Sequence, residues 1–534
     1  MFLNCSELKS LDLINFKANS VISLESMFES CKKITSIDIS NLRPTKAKIM
    51  SKMFLGCENL KDLKLFDFSS VENVENLSEM FSGCKKIEQL EFIRFKIDKV
   101  TTMEKMFYDM TNLVSIFFDV YSIENLYLDS MNSMFQKCSS LKKIDLTGFS
   151  RTNYLTKMAN TFKECSNLEE ILMPNINARS VSTMESLFED CTSLTSINLD
   201  NFKAEKLTTM SFMFKNCQSL KSINLKSFEA HGLTKASNLF QSCHSVESIN
   251  IDNLDTNSID DISYMFSDCH NLKEINLTNF KTNKVKMASY VFNNCYSLTS
   301  IDISNFDFSK VSIMNNFFSN CYSLTSLDLS KLDTSKVEGM DELFKQCGNL
   351  TYLNLSGLVV NKVELMNKMF EGCISLTELD ISHFQTDSLK SMNEMFKDCG
   401  NLTSLDLSGF NTKNILYMSK LFSGCTNLEK IKFGDSFTNE KVVDMSYMFS
   451  NCESLNQLDL LKFNTQSVTT MEKMFYSCVK LISLDLSSFN TNDCANFNEM
   501  FANIPHIIVT IDSTKGAKMK EELKYCDNVE FIDK

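Results

Sequence analysis

The feature that most constrains this chain is a repeat. A Phe recurs from Phe2 through Phe28, Phe54 and Phe81 to Phe475 and Phe501, at intervals of 26 residues stretched by one or two in a few copies. Three residues after it stands a Cys, replaced by Met110 and Ile504 in two copies. A fixed period in this range is the mark of a solenoid, in which each unit buries its apolar face against its neighbours. A chain of 534 residues would ordinarily divide into several domains, but 13 Gly and 3 Pro leave no room for a linker. Residues 1–503 therefore read as one solenoid whose first unit is truncated. Residues 504–534 break the frame and read as a C-terminal capping segment: Ile507, Val509 and Ile511 alternate as a strand, followed by a polar helix and a short final strand.

Within one unit the apolar period changes. Val468, Met471, Met474, Phe475 and Cys478 are spaced by three, three, one and three, which predicts one face of a helix, with Ser467 or Thr465 as its cap. Leu481, Leu484 and Leu486 then alternate with Ser483, Asp485 and Ser487, which predicts a strand with one buried face. Each unit reads helix, turn, strand, loop. The fold expected is an α/β solenoid of about twenty helix-strand units with a parallel concave sheet, on the order of 95 Å long at ~4.8 Å per strand. The copy around Met110 is the most divergent and predicts a bulge or altered curvature. Phe117 and Leu172 put apolar side chains at outward strand positions, and Pro174 stands at a strand end.

Charge and motifs narrow the function. Lys plus Arg number 54 and Asp plus Glu 67, a net charge of −13. Without a basic block, nucleic acid and anionic membrane are poor partners, and no apolar run is long enough to cross a bilayer. No nucleophile elbow, phosphate loop, dinucleotide fingerprint or metalloprotease motif occurs, so neither catalysis nor a cofactor is expected. Of the 20 Cys, 18 hold the repeat position and read as a ladder of reduced, buried thiols; Cys494 and Cys526 lie off it as a possible pair.

Two rows of side chains are the candidate binding features. The strand position before the last Leu carries Asp12, Asp38, Asp145, Asp302, Asp328, Asp380, Asp406, Asp459 and Asp485, with Asn198, Asn224, Asn250, Asn276 and Asn354 between them. On parallel strands these stack into an acidic and amide strip, which suits a basic protein partner better than a metal and equally describes a solvated face. The second row is His244, His270, Tyr296 and Tyr322, each directly after a repeat Cys, which predicts an aromatic ridge of the kind favoured at protein interfaces.

The extended frame Met-Phe-x-x-Cys-x-x-Leu-x-x-Leu-Asp-Leu-Ser-x-Phe-x-Thr-x-x-Val-x-x-Met resembles the BspA-type leucine-rich repeat of bacterial, mollicute and protist surface proteins. The resemblance implies a cell-surface or extracellular recognition or adhesion protein that binds a host or matrix protein or another cell. An intracellular scaffold is the competing expectation, because the Cys ladder reads as reduced and the sequence opens without a signal or anchor.

Overall fold

In a computed structural model the chain is described over residues 1–120, 126–173, 176–199, 202–226 and 228–534; Pro174 lies outside them. Its packing divides into two compact units, Met1–Phe280 and Lys281–Lys534. Both have the same architecture, a parallel β-solenoid, with about 19 turns in the chain.

The predicted strands form where alternation placed them. In the first unit Ser36–Asp38 pairs with Asp62–Lys64 and Ser222–Asn224 with Ser248–Asn250; in the second Ser326–Asp328 pairs with Tyr352–Asn354 and Ser404–Leu407 with Lys430–Phe433. All run parallel, one turn apart and in register, because a slip of one residue would turn the apolar set outward. A bulge does occur beside the divergent copy, between Phe92 and Phe95 of Gln89–Phe95, opposite Ser115–Val120.

The predicted helix is not a helix. Among the described residues the only α-helix is Ala517–Glu522, in the C-terminal segment. The Met-Phe stretch is instead a chain of tight turns, because two residues in each copy adopt positive φ, two before and two after the Phe: Lys473 at 49° and Ser477 at 58° flank Phe475. The left-handed region breaks any α-helix. The N–H groups are shared between two directions. Met474 and Cys478 donate three residues back, to Met471 and Phe475, whereas Phe475 and Ser477 donate to Met500 and Ala502 of the next turn at 2.9 Å. Nor do the expected cap residues cap: the Thr465 hydroxyl donates to the Asn490 carbonyl and the Ser467 hydroxyl to the Glu440 carbonyl, each in a neighbouring turn.

The apolar face inferred from the spacing is nonetheless the buried one. Val468, Met471, Met474, Phe475 and Cys478 are all fully buried. Inside each unit the repeat Phe rings stack turn on turn, for example Phe135–Phe162 at 5.7 Å and 1° and Phe370–Phe396 at 5.7 Å and 6°. Near-parallel rings with centroids this far apart touch when they sit offset, the arrangement their quadrupoles favour over a face-to-face sandwich. Above the stack ladder thiols donate to the carbonyl of the preceding turn's Phe, as Cys399 does to Phe370 at 3.1 Å. At the loop, buried Thr hydroxyls clamp the next peptide: Thr334 donates to the Val359 carbonyl at 2.9 Å and accepts from its N–H at 2.8 Å.

The segment after residue 503 continues the sheet. Ile507–Ile511 pairs in parallel with Ser483–Asp485 and then with Val529–Asp533.

Candidate functional site

The strip residues stand where the pattern puts them, on the outward side of the strands. Asp145, Asn198, Asn224 and Asn276 of the first unit and Asp302, Asp328, Asp380 and Asp459 of the second are exposed, and Asn250, Asn354, Asp406 and Asp485 are half-buried. Register sets Asn224 beside Asn250 and Asp328 beside Asn354.

Their geometry gives a second reason for the residue type. In Asp12, Asp38, Asp145, Asp302, Asp328, Asp380, Asp406, Asp459 and Asp485 one carboxylate oxygen accepts the backbone N–H two residues on. The amide oxygens of Asn224, Asn250, Asn276 and Asn354 do the same. Only a short side chain with an oxygen at this reach closes the turn that ends the strand, which is why Asp and Asn alternate here while Glu seldom does. At Asp38, Asp302, Asp328, Asp380 and Asp406 these hydrogen bonds, with nearby cationic side chains, hold the carboxyl low. For Asp38 the Ser40 hydroxyl and N–H bring the value to about 2; for Asp406 the Lys432 ammonium and Ser408 do so, also to about 2.

The strip is interrupted once in each unit by a Lys that turns back on the preceding Asp. Lys64 meets Asp38 at 3.1 Å and Lys432 meets Asp406 at 2.8 Å. Each interruption borders a depression on the strand face, of about 370 Å³ beside Asp12, Asp38 and Lys64 and about 530 Å³ beside Asp406, Lys432, Asp459 and Lys462. Elsewhere the divergent copies put Phe117 on this face, 56% exposed, and Leu172, half-buried.

Neighbouring rings of the aromatic row stack within each unit. His244 and His270 stack with ring centroids 4.3 Å apart and planes 2° apart; Tyr296 and Tyr322 stack at 5.3 Å. Burial, then the neighbouring His244, lowers the His270 pKa, so this imidazole is neutral where an ordinary His is half-protonated. Among the described residues no three His, Cys, Asp or Glu side chains converge on a possible metal position.

The buried thiols are chemically quiet. All 20 Cys are free, including Cys494 and Cys526, so the off-ladder pair is not joined. Burial pushes Cys57, Cys243, Cys347, Cys399 and Cys478 up to about 12.

One cluster escaped the sequence reading. Lys9, Lys33, Lys61 and Lys86 come from separate copies but line a single open depression of about 570 Å³ in the first unit, with Thr35, Asn59 and Asp62. Residues more than twenty apart leave no basic run to see; their positions relative to Leu8, Ile34, Leu60 and Ile87 were the available signal.

Stacked parallel strands, tight turns and inward Leu, Phe and Cys ladders define a protein of the repeat-solenoid class. The chain belongs to the family described as Mycoplasma protein of unknown function, DUF285, which matches it in overlapping stretches over residues 1–77, 70–149, 129–249, 234–356, 339–432 and 405–514. No curated protein matches it. Solved structures similar to it include a leucine rich cell surface protein of Faecalibacterium prausnitzii, with 18% identity over 67% of this chain and 82% of that one and a TM-score of 0.32. The pneumococcal vaccine antigen PcpA is similar with 14% identity over 74% of this chain and 78% of that one, at a TM-score of 0.35. The functional domain of InlJ from Listeria monocytogenes is similar with 12% identity over 79% and 74%, at a TM-score of 0.16.

Proposed function

We propose that this chain is a non-catalytic recognition protein that binds a protein partner along the outward face of its strands, and that it does so at a cell surface. The observation that carries the reading is the stacked Asp and Asn strip. One oxygen of each Asp is committed to its own backbone, and at Asp302, Asp328 and Asp380 the second remains on an exposed face. Asn224, Asn250, Asn276 and Asn354 each commit their one oxygen and keep the amide NH2, so the row offers repeated acceptors, interspersed with donors, to a basic, extended partner. Depressions beside the Lys interruptions give that face relief into which side chains can fit. The BspA-type resemblance of the repeat frame supports adhesion to a host or matrix protein or to another cell.

The turn geometry decides which substitution tests the strip. Asp302→Asn, Asp328→Asn and Asp380→Asn keep the oxygen that closes each turn and remove only the charge. Binding of the triple variant to immobilised matrix proteins should fall by about tenfold or more, the loss of roughly 1.4 kcal/mol, with circular dichroism unchanged. Undiminished binding removes the strip from the interface. A second reading, an intracellular scaffold, is favoured by the full set of free thiols. Antibody staining of intact and permeabilised source cells separates the two: label on intact cells upholds the surface reading, and label only after permeabilisation replaces it with the scaffold.

A further inference from the structure

The lysine depression of the first unit carries an inference of its own. Two columns of side chains flank the start of the strands on successive turns. One reads Glu7, Lys33, Asn59, Lys86 and the other Lys9, Thr35, Lys61, Glu88. Lysines and neutral polar residues thus alternate across the two columns, and the only acids in them stand at opposite ends. Those acids pair within their columns, Lys33 with Glu7 at 2.6 Å and Lys61 with Glu88 at 3.8 Å. Both pairs are exposed, with side-chain accessibilities of 51% and 78% in the first, and exposed pairs of this kind are held by about 1 kcal/mol or less. Lys9 and Lys86 form no ion pair among the described residues. The concavity therefore gathers four ammonium groups with Asp62 in its lining, two of them held by the flanking Glu7 and Glu88 and two, Lys9 and Lys86, outside any ion pair among the described residues, in a chain whose net charge is −13.

From this geometry we propose that the depression binds an acidic polysaccharide. Positive charge spaced over four turns suits a linear polymer bearing repeated anions. The cations are all Lys, compact point charges without the planar fork that selects bidentate phosphate or carboxylate. No aromatic side chain lines the depression, so unstacked bases have no platform and single-stranded nucleic acid is disfavoured. No apolar side chain lines it either, so nothing there inserts into a bilayer. The Thr35 hydroxyl and the Asn59 side chain lie between the lysines, where sugar hydroxyls would meet them. Anionic groups of the polymer displace Glu7 and Glu88 from Lys33 and Lys61. The ligand's charge can be sulfate or carboxylate, since an ammonium reads both.

The test uses the whole chain and three immobilised polysaccharides: dextran sulfate, polygalacturonate and neutral dextran. Binding is expected to one or both anionic polymers and not to neutral dextran, and to weaken steeply between about 50 mM and about 200 mM salt as counterions compete. The quadruple variant Lys9→Gln, Lys33→Gln, Lys61→Gln, Lys86→Gln should lose about tenfold or more in affinity. A control with the same change of charge in the second unit, Lys336→Gln, Lys362→Gln, Lys413→Gln, Lys441→Gln, should stay within about twofold of the parent. Glu7→Gln with Glu88→Gln should bind more tightly, a gain that loss of folding cannot produce. Equal losses in the two quadruple variants, or binding to poly-glutamate or to phosphatidylserine vesicles at least as tight as to either polysaccharide, would overturn the assignment.

Discussion

A thiol can hold a ladder position that a methyl group would fill only in part. The ladder Cys is small enough for the crowded turn and still donates a weak hydrogen bond to the Phe carbonyl one turn back, as in Cys347 to Phe318 at 3.2 Å. Burial that suppresses the thiolate also makes these groups inert, since the thiolate is the nucleophile. Native protein treated with a thiol reagent at neutral pH should therefore label at the exposed Cys5 and the half-exposed Cys526 and at few other positions, with the remainder reacting only in denaturant. Mass-spectrometric counting of adducts checks it. A neighbouring column shows a carboxylate in an amide's place. Asn315, Asp341, Asn367 and Asn393 each accept a backbone N–H of the next turn, Asp341 from that of Asn367 at 2.7 Å. Burial raises the Asp341 pKa despite that hydrogen bond. Its folded-state value thus lies above that of the unfolded chain, so stability is intact at low pH and declines as pH rises through the ordinary carboxylate range to the raised value. Asp341→Asn should raise the denaturant midpoint at neutral pH and lose that advantage below about pH 4. An equal gain at both pH values refutes the argument.

The repeat is better described as two kinds of element than as helix and strand. The strand was legible because alternation has one common interpretation at that length. The turn stretch was not, since the spacing three, three, one, three satisfies a helix as well as successive turns that bring the same residues to one side. What decides between them is backbone chirality, and the deciding residues were in view. Two positions after the Phe stand Gly56, Gly83, Asn294, Asn320, Gly372, Asp398 and Gly424, types that tolerate positive φ, and each adopts it. Two positions before the Phe, apart from Asn160, Asn238 and Asn316, stand Ser, Lys, Glu, Tyr and Phe, which conceal the same conformation. The strip shows the converse: Asp and Asn were visible as a row, but their bond to the backbone two residues on was not, because the pattern reveals a face and not a hydrogen bond. Gly372, at φ 72°, tests the chirality argument. A β-branched Gly372→Val should cost at least about 1–2 kcal/mol and Gly372→Asn less, measured by chemical denaturation. The inserted copy illustrates the price of departing from the frame. Asn439, left-handed at φ 58°, occupies the place of the clamping Thr, and both polar atoms of its buried side chain lack a partner.

Across each unit the contacts that matter run from one turn to the next, so stability is assembled locally. Phe370 is fully buried and stacks with Phe344 at 5.6 Å and Phe396 at 5.7 Å. Phe370→Ala should destabilise the second unit by about 3–5 kcal/mol. Hydrogen exchange should then show protection lost first in the turns adjoining residue 370 rather than uniformly. The basic depression was illegible at this scale for a physical reason: charge summed along the chain is strongly negative, whereas the fold samples it at one-turn intervals and concentrates Lys9, Lys33, Lys61 and Lys86.

The bridges of one column, Ile313 to Gly339, Gly339 to Leu365 and Leu365 to Ser391, make copy number a free variable. Excising residues 340–365 joins Gly339 to Met366, which enters the place of Met340, so every ring, thiol and hydroxyl meets an equivalent partner. Removing half as many residues would set Phe against loop. Recombination between copies would thus yield folded chains of graded reach, differing in how many contact rows they present while sharing one way of holding them.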